Sequence, residues 1–287
     1  MRKIIEKKRV LITGHLGFVG SVVARNLRAA GYDVWGIDRR TDNNDQSLVA
    51  NLLDSQQTSE AISKIHDVHV LIHMAALAHG EKPPPNYSIF DFNVSITKNI
   101  IDSIGETMPH MIFLSSVAVY GEDDRPLPVS VDATPRPATE YGHSKLVCEN
   151  LVLNSHLTKC DILRMAPVYD NKHLQDVSKR VYLPGLRRIK MRISPQPYYS
   201  LCHVNRIGDV IQECILRSGS DGRILHVADT DPYIQHELVK WFKGITIPFP
   251  VIFARPLYLL GRMIPGAKGY AIRCLFSKLF LSNVYVV

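Results

Sequence analysis

Tyr141 and Lys145 stand four residues apart in Tyr141-Gly142-His143-Ser144-Lys145, where the spacing of apolar residues begins to look helical. That spacing puts both side chains on one helical face. An ammonium beside a phenol favours the phenolate and lowers the tyrosine pKa towards working pH, so Tyr141 becomes a usable proton donor and acceptor. The pair alone is common by chance, and its weight depends on what accompanies it. Upstream, Phe113-Leu114-Ser115-Ser116-Val117-Ala118-Val119-Tyr120-Gly121 ends a strand with two hydroxyls leaving at its carboxyl edge. A serine there can hydrogen-bond a substrate oxygen beside the tyrosine; the duller reading is that Ser115 and Ser116 cap the strand.

Earlier in the chain, Thr13-Gly14-His15-Leu16-Gly17-Phe18-Val19-Gly20 follows one strand and opens a helix. Glycines suit such a turn because the chain must bend tightly, let a pyrophosphate approach its backbone and pack the helix on the strand. A Gly-rich turn without a ligand competes with this reading, and the strand-turn-helix context counts against it. The second strand ends in Ile37-Asp38-Arg39-Arg40. A carboxylate there lies where adenosine ribose hydroxyls would sit and favours NAD by repelling a 2′-phosphate. Arg39 and Arg40 can accommodate that phosphate, which keeps NADP as the alternative.

The elements that must position these residues are legible as an alternation of β-branched runs with helical patterns, the mark of a doubly wound parallel α/β sheet. Strands are expected at residues 9–13, 33–38, 68–73, 110–115 and 160–164, and helices at 18–30, 47–65, 87–104 and 140–156. After Arg164 prolines and basic residues crowd the chain, which reads as irregular with at most one helix up to Pro197. A strand at 199–204, a helix at 205–217, a strand at 223–227 and a helix after Pro232 then suggest a smaller lobe over the sheet's carboxyl edge.

Among 287 residues, 46% are hydrophobic and 21% charged, which is ordinary globular composition. The five cysteines show no C-x-x-C pair and read as free core thiols in a reducing compartment. The basic start, residues 1–9, lacks the apolar core of a signal peptide, and cytoplasm is the expected location. His66, His69, His73 and His79 lie close together without metal-ligand spacing, so no metal site is expected. The net charge of +7 is one-sided: no acidic residue follows Glu237, whereas seven Lys and Arg do. Such a field favours an anionic partner, against the alternative of a solvated face. Nucleic acid carries low weight because the basic residues are interleaved with apolar ones. The stretch 245–264 is the most apolar in the chain, but Pro248, Pro250, Arg255, Pro256 and Arg262 interrupt it. Core packing is the expectation there, with a membrane-surface contact the lesser one.

Together, the four motifs resemble the extended short-chain dehydrogenase/reductase family of nucleotide-sugar epimerases, dehydratases and reductases, over roughly residues 9–230. His73-Met74-Ala75-Ala76 is similar to the family's H-x-A-A segment, Asn93 to Asn99 to its N-V-x-x-T-x-N helix, and Asn51-Leu52-Leu53-Asp54 to its D-L-x-D, with Asn51 replacing the acid. The resemblance implies a Rossmann domain over residues 1–166, with later segments returning to it, and a C-terminal substrate-binding lobe with a basic apolar tail over 167–287. It implies a catalytic trio of Ser116, Tyr141 and Lys145. Cofactor contacts would come from Gly14, Gly17, Phe18, Val19, Gly20, Asp38, Arg39, Asn51, Leu52, Ala75, Ala76, Asn93, Ser115, Tyr141 and Lys145. Val117 and Ala118 stand where the 4,6-dehydratases carry Asp-Glu, which disfavours dehydration, and reductase-epimerases carry a cysteine at the place of Val117. A 4-epimerase or a 4-keto-sugar reductase on a nucleotide sugar remains. The alternatives are a sugar dehydrogenase, a membrane-associated enzyme on a lipid-linked sugar, and a non-catalytic NAD(P)-binding regulator. Pro167 and Tyr199 replace an asparagine and an arginine that often meet the nucleotide sugar, so substrate contacts are expected from Tyr199, Arg187 and Arg188, with Arg180 and Arg192 as further basic residues. Family analogy implies a homodimer through the helices containing Asn93 and Tyr141.

Overall fold

The computed structural model describes residues 7–78, 81–105, 110–121, 127–217 and 222–287, with the backbone alone at Ala267 and Ala271. Residues 1–6 of the basic start and His79 lie outside these. The elements run β1 (Arg9–Thr13), α1 (Phe18–Ala29), β2 (Asp33–Asp38), β3 (Ser47–Val49), α2 (Ser55–Ser63), β4 (Val68–His73), α3 (Ile89–Ser103), β5 (Met111–Ser116), α4 (Glu140–Leu153) and β6 (Cys160–Met165). They continue with β7 (Val168–Tyr169), α5 (Gln175–Ser178), β8 (Tyr182–Leu183), β9 (Leu186–Ser194), β10 (Tyr198–Tyr199), β11 (Cys202–His203), α6 (Val204–Leu216) and β12 (Arg223–Val227). β13 (Tyr233–Ile234), α7 (Gln235–Lys240), β14 (Ile245–Pro250), α8 (Arg255–Met263) and α9 (Gly266–Phe280) complete the order.

Seven strands form one parallel sheet in the order β12-β6-β5-β4-β1-β2-β3. Helices cover both faces of such a sheet, so its strands are apolar almost throughout; Val10, Leu11, Ile12, Leu71, Ile72 and Phe113 are all inaccessible to within 3%. The strand order reverses between β1 and β4, where Thr13 lies level with His73. Folds of this kind open a ligand crevice at that switch point, beyond the carboxyl ends of the strands.

The chain divides into two compact units. The first holds the residues up to Ser116, His143–Arg164 and Val204–Leu225; the second holds Val117–Gly142, Met165–His203 and His226–Val287. Val117–Gly142 groups with the second unit, and α6 returns to the first, where Gly208 lets it approach Asn26 of α1.

Three segments differ from the sequence expectation. Residues 47–65 are not one helix: β3 extends the sheet, and α2 starts only at Ser55 because the Asp54 carboxylate caps it, accepting from the Gln57 amide at 3.0 Å. Residues 186–194 are not irregular but form β9, the centre of the β14-β9-β8 sheet of the second unit. Its basic residues hide a period-two pattern in which Met191 and Ile193 are buried and Arg192 is exposed. The expected strand at 199–204 is two short pieces, β10 and β11.

Candidate active site

The turn between β1 and α1 is built from glycines for steric reasons. Gly14 has φ +73, and its amide donates to the Ile37 carbonyl at 2.8 Å, tying the turn to β2. A Cβ on Gly14 would lie 2.9 Å from the backbone of Ala75, and one on Gly20 would overlap the Gly14 carbonyl. Gly17 is the N-cap of α1, without a side-chain cap and without an acid in the first turn. The first amides of a 12-residue helix therefore face the turn, an arrangement suited to an anion such as a pyrophosphate. His15, whose position in this turn carried no expected role, is buried. Its Nε2 shares a 2.8 Å hydrogen bond with Ser47, and its ring fills the space that a side chain on Gly36 would need. Burial is the main cause that lowers its pKa, so it is neutral at physiological pH.

The loop after β4 is fixed by buried hydrogen bonds. His73 bridges Thr13 Oγ1 at 2.7 Å and Thr97 Oγ1 at 3.1 Å, and Thr13 Oγ1 also accepts from the amides of Met74 and Ala75. Burial, helped by the charge of Lys145, pushes the His73 pKa down to about 3, so this histidine is a neutral strut. Asn93 clamps the same loop, accepting from the Leu77 amide at 2.8 Å and donating to the Leu77 carbonyl and to Ser144 Oγ. Asn99 donates to the carbonyls of Leu52 and Leu53, which holds that segment beside α3; Leu52 is buried and Asn51 is exposed. The N-V-x-x-T-x-N residues thus act by pinning two loops, Ala75–Ala76 among them.

Asp38 closes β2 and is 6% exposed. Its carboxylate accepts from the amides of Leu16 and Arg40 and from the Arg40 guanidinium, with Nε at 3.1 Å. Burial alone would raise its pKa, but these donors outweigh it and hold the carboxyl below the usual range. Asp38 is an anion directly beside the glycine turn, and Arg40 is committed to it. Arg39 is exposed.

Lys145 lies one helical turn after Tyr141 on α4 and is 4% exposed. Its ammonium donates to the Leu114 carbonyl at 2.8 Å and lies 4.8 Å from the Phe113 ring centroid. Burial pushes its pKa down to about 8, against the opposing pull of Cys148 and Glu149, and it remains a cation at neutral pH. One turn further, Glu149 is buried and paired with Arg164 at 2.7 Å. The Ser115 hydroxyl donates to this carboxylate, so it is turned into the interior and only the backbone of Ser115 is left for a cofactor contact. Glu149 had no expected role. Its signal was spacing: Tyr141, Lys145 and Glu149 recur every four residues, and a carboxylate on that stripe demands a buried partner. Ser116 ends β5, partly exposed.

In the second unit, Val117 and Ala118 form a 3₁₀ turn with Val119 and Tyr120, and Val117 is buried. Tyr141 is the second residue of α4. Gly142 beside it allows close approach to that turn, since a Cβ there would lie 2.6 Å from the Ala118 carbonyl. Tyr199 does not fit a substrate contact: it is fully buried, donates to the Leu279 carbonyl at 2.7 Å and is stacked by Arg180 at 5.3 Å. The expectation for Tyr199 is corrected, because the apolar neighbourhood that seats its ring leaves the hydroxyl a backbone partner. Arg187 and Arg188 lie exposed at the start of β9. All five cysteines are free and buried, and among the described residues no cluster of His, Cys, Asp and Glu could hold a metal.

The family model described as the NAD dependent epimerase/dehydratase family matches residues 10–192. The UDP-glucose 4-epimerase of Vibrio cholerae is 24% identical over 254 residues, covering 81% of this chain and 74% of that enzyme. UDP-glucose 4-epimerase uge1 of Schizosaccharomyces pombe is 28% identical over 168 residues, covering 52% of this chain and 47% of that enzyme. The chain spans about half the length or less of most of the curated relatives it matches. Solved structures that share the fold include the two that follow. The Thermus thermophilus UDP-glucose 4-epimerase in complex with NAD has a TM-score of 0.64 at 19% identity, covering 94% of this chain and 98% of that one. A short-chain dehydrogenase/reductase superfamily protein from Agrobacterium tumefaciens with bound NAD has a TM-score of 0.70 at 22% identity, covering 84% and 86%.

Proposed function

This chain belongs to the NAD dependent epimerase/dehydratase family, and from that membership we propose that it binds NAD and interconverts a nucleotide sugar with its 4-epimer. The residues fit the dinucleotide. The tight turn, in which Gly14 and Gly20 have no room for side chains, together with the N-terminus of α1, suits the pyrophosphate, and anionic Asp38 suits unesterified ribose hydroxyls. Arg40 is occupied by Asp38 and is poorly placed to welcome a 2′-phosphate, which favours NAD over NADP. When bound, NAD supplies the acceptor and donor of the hydride at the sugar carbon.

The seating of Lys145 is the observation that carries the reading. A buried cation, fixed on the end of β5 and one helical turn from Tyr141, favours the phenolate and equips Tyr141 to take the sugar hydroxyl proton and later return it. Ser116 would orient the sugar oxygen. Val117 and Ala118 carry no acid or base with which to expel water, so the chemistry stops at proton and hydride movement. The expected assembly is a homodimer through α3 and α4.

Proton NMR of the purified protein with UDP-glucose or UDP-galactose, without added cofactor, tests this. Interconversion at constant absorbance at 340 nm is the expected result. Consumption of NADH with a 4-keto sugar nucleotide, and no interconversion, would make the protein a reductase instead.

A further inference from the structure

The stretch with the lesser membrane expectation has a definite surface in the second unit. Ile252 and Phe253, in the 3₁₀ turn Val251–Ala254, are 57% and 71% exposed, and Leu259, Leu260 and Met263 of α8 are 56%, 48% and 80% exposed. On α8 these residues fall three and four apart and form one outward stripe. The opposite face of α8 is already packed. Tyr258 meets Phe276 of α9 with ring centroids 5.1 Å apart, and a Cβ on buried Gly261 would lie 3.0 Å from the Gly269 carbonyl. This close glycine contact fixes which face of α8 turns outward, so the stripe cannot roll inward without breaking it.

Charge identifies what fits this face. Arg255 and Arg262, seven residues apart, flank the stripe and are exposed, and Lys268 at the start of α9 is exposed as well. No acidic residue follows Glu237, against seven Lys and Arg. A second copy docked through the same face would bring like charges together with no carboxylate from this region to answer them. An anionic bilayer answers both features, since acyl chains accept the apolar stripe while phosphates meet the arginines. At nine residues, α8 is about 13 Å long and can only lie in the plane of the headgroups; among the described residues no helix is long and apolar enough to cross a membrane. We propose that Ile252, Phe253 and the outward stripe of α8, with Arg255 and Arg262, dock this protein on the surface of an anionic lipid bilayer.

Flotation of the full chain with vesicles of 70% phosphatidylcholine and 30% phosphatidylglycerol, against pure phosphatidylcholine, is the test. The protein should float with the anionic vesicles, less so at 0.5 M salt, and stay behind with the neutral ones. Arg255→Gln with Arg262→Gln should weaken partition on the order of thirtyfold. Phe253→Ser with Leu260→Ser and Met263→Ser should abolish flotation while leaving the melting temperature unchanged. As an independent readout that keeps the apolar face, emission of a Phe253→Trp variant should shift to the blue with anionic vesicles alone. Three results would overturn the proposal: no flotation of the wild type, equal flotation of the triple variant, or a concentration-dependent dimer that the triple variant loses, which would make this a self-association surface.

Discussion

Replacing Asp38 by Asn changes one charge and little volume, and its consequence can be worked from the structure. The carboxylate is 6% exposed and ionised, and its donors are the Leu16 amide and the amide and guanidinium of Arg40. A 2′-phosphate brought beside it meets a like charge poorly screened by water. At an effective dielectric of about 20, each unit charge at about 4 Å costs roughly 4 kcal/mol, and about half that at twice the distance. Taking roughly 2–3 kcal/mol, the wild type should prefer NAD over NADP by about 30- to 150-fold. Asp38→Asn removes the repulsion and releases Arg40, so the preference should collapse to within about threefold. NAD itself should bind about tenfold or more weakly, because a charged hydrogen-bond acceptor has gone. Arg40→Ala should leave the preference on the side of NAD. Calorimetric titration of nucleotide-free protein with both dinucleotides gives these ratios. Equal wild-type affinity for the two, or an unchanged ratio in the Asn variant, would refute the assignment of Asp38.

Three further outcomes are expected. Burial pushes Lys145 down to about 8, so its cation is present below that pH and lost above it; kcat/KM should fall on the alkaline side with an apparent pKa near 8, and Lys145→Met should cost about 100-fold or more. Because the native state releases this proton at about 8 rather than at 10.5, the unfolded chain binds more protons in that window and the Lys145 contribution to stability rises with pH there; a flat rate profile across it would contradict the role. Glu149→Ala removes the carboxylate paired with buried Arg164 and should cost about 3–5 kcal/mol, read as a melting temperature lower by roughly 10 °C, whereas Glu149→Met with Arg164→Met should recover most of it. Tyr199→Phe loses one bond to Leu279 and should cost about 1–2 kcal/mol of stability with KM unchanged; a raised KM would restore Tyr199 to the substrate site.

The parallel sheet and the glycine turn were legible because each strand from β1 to β6, β3 apart, is a short, mainly apolar run between helical patterns, which survives without tertiary information. Asp38 and Lys145 were legible as residue types at fixed offsets from those runs. What escaped depended on partners distant in sequence. β3 is three residues whose place is fixed by pairing with β2, not by its own pattern. β9 is held between β8 and β14, and its alternation was masked by arginines whose exposed side no local rule reveals. Ser115 was assigned from its place at a strand end and Tyr199 from its place where the family carries an arginine, yet the directions of their hydroxyls are set by Glu149, 34 residues away, and Leu279, 80 residues away. A carboxylate or carbonyl that needs a buried donor cannot be seen from the donor's own neighbourhood.

The central claim is that this chain holds NAD in the turn between β1 and α1. Denaturing the purified protein and identifying the released nucleotide by chromatography tests it most directly. Near-stoichiometric NAD, or tight uptake of NAD by nucleotide-free protein that Gly20→Val abolishes, is the predicted result. A protein that releases no dinucleotide and takes up neither NAD nor NADP on titration would contradict the account.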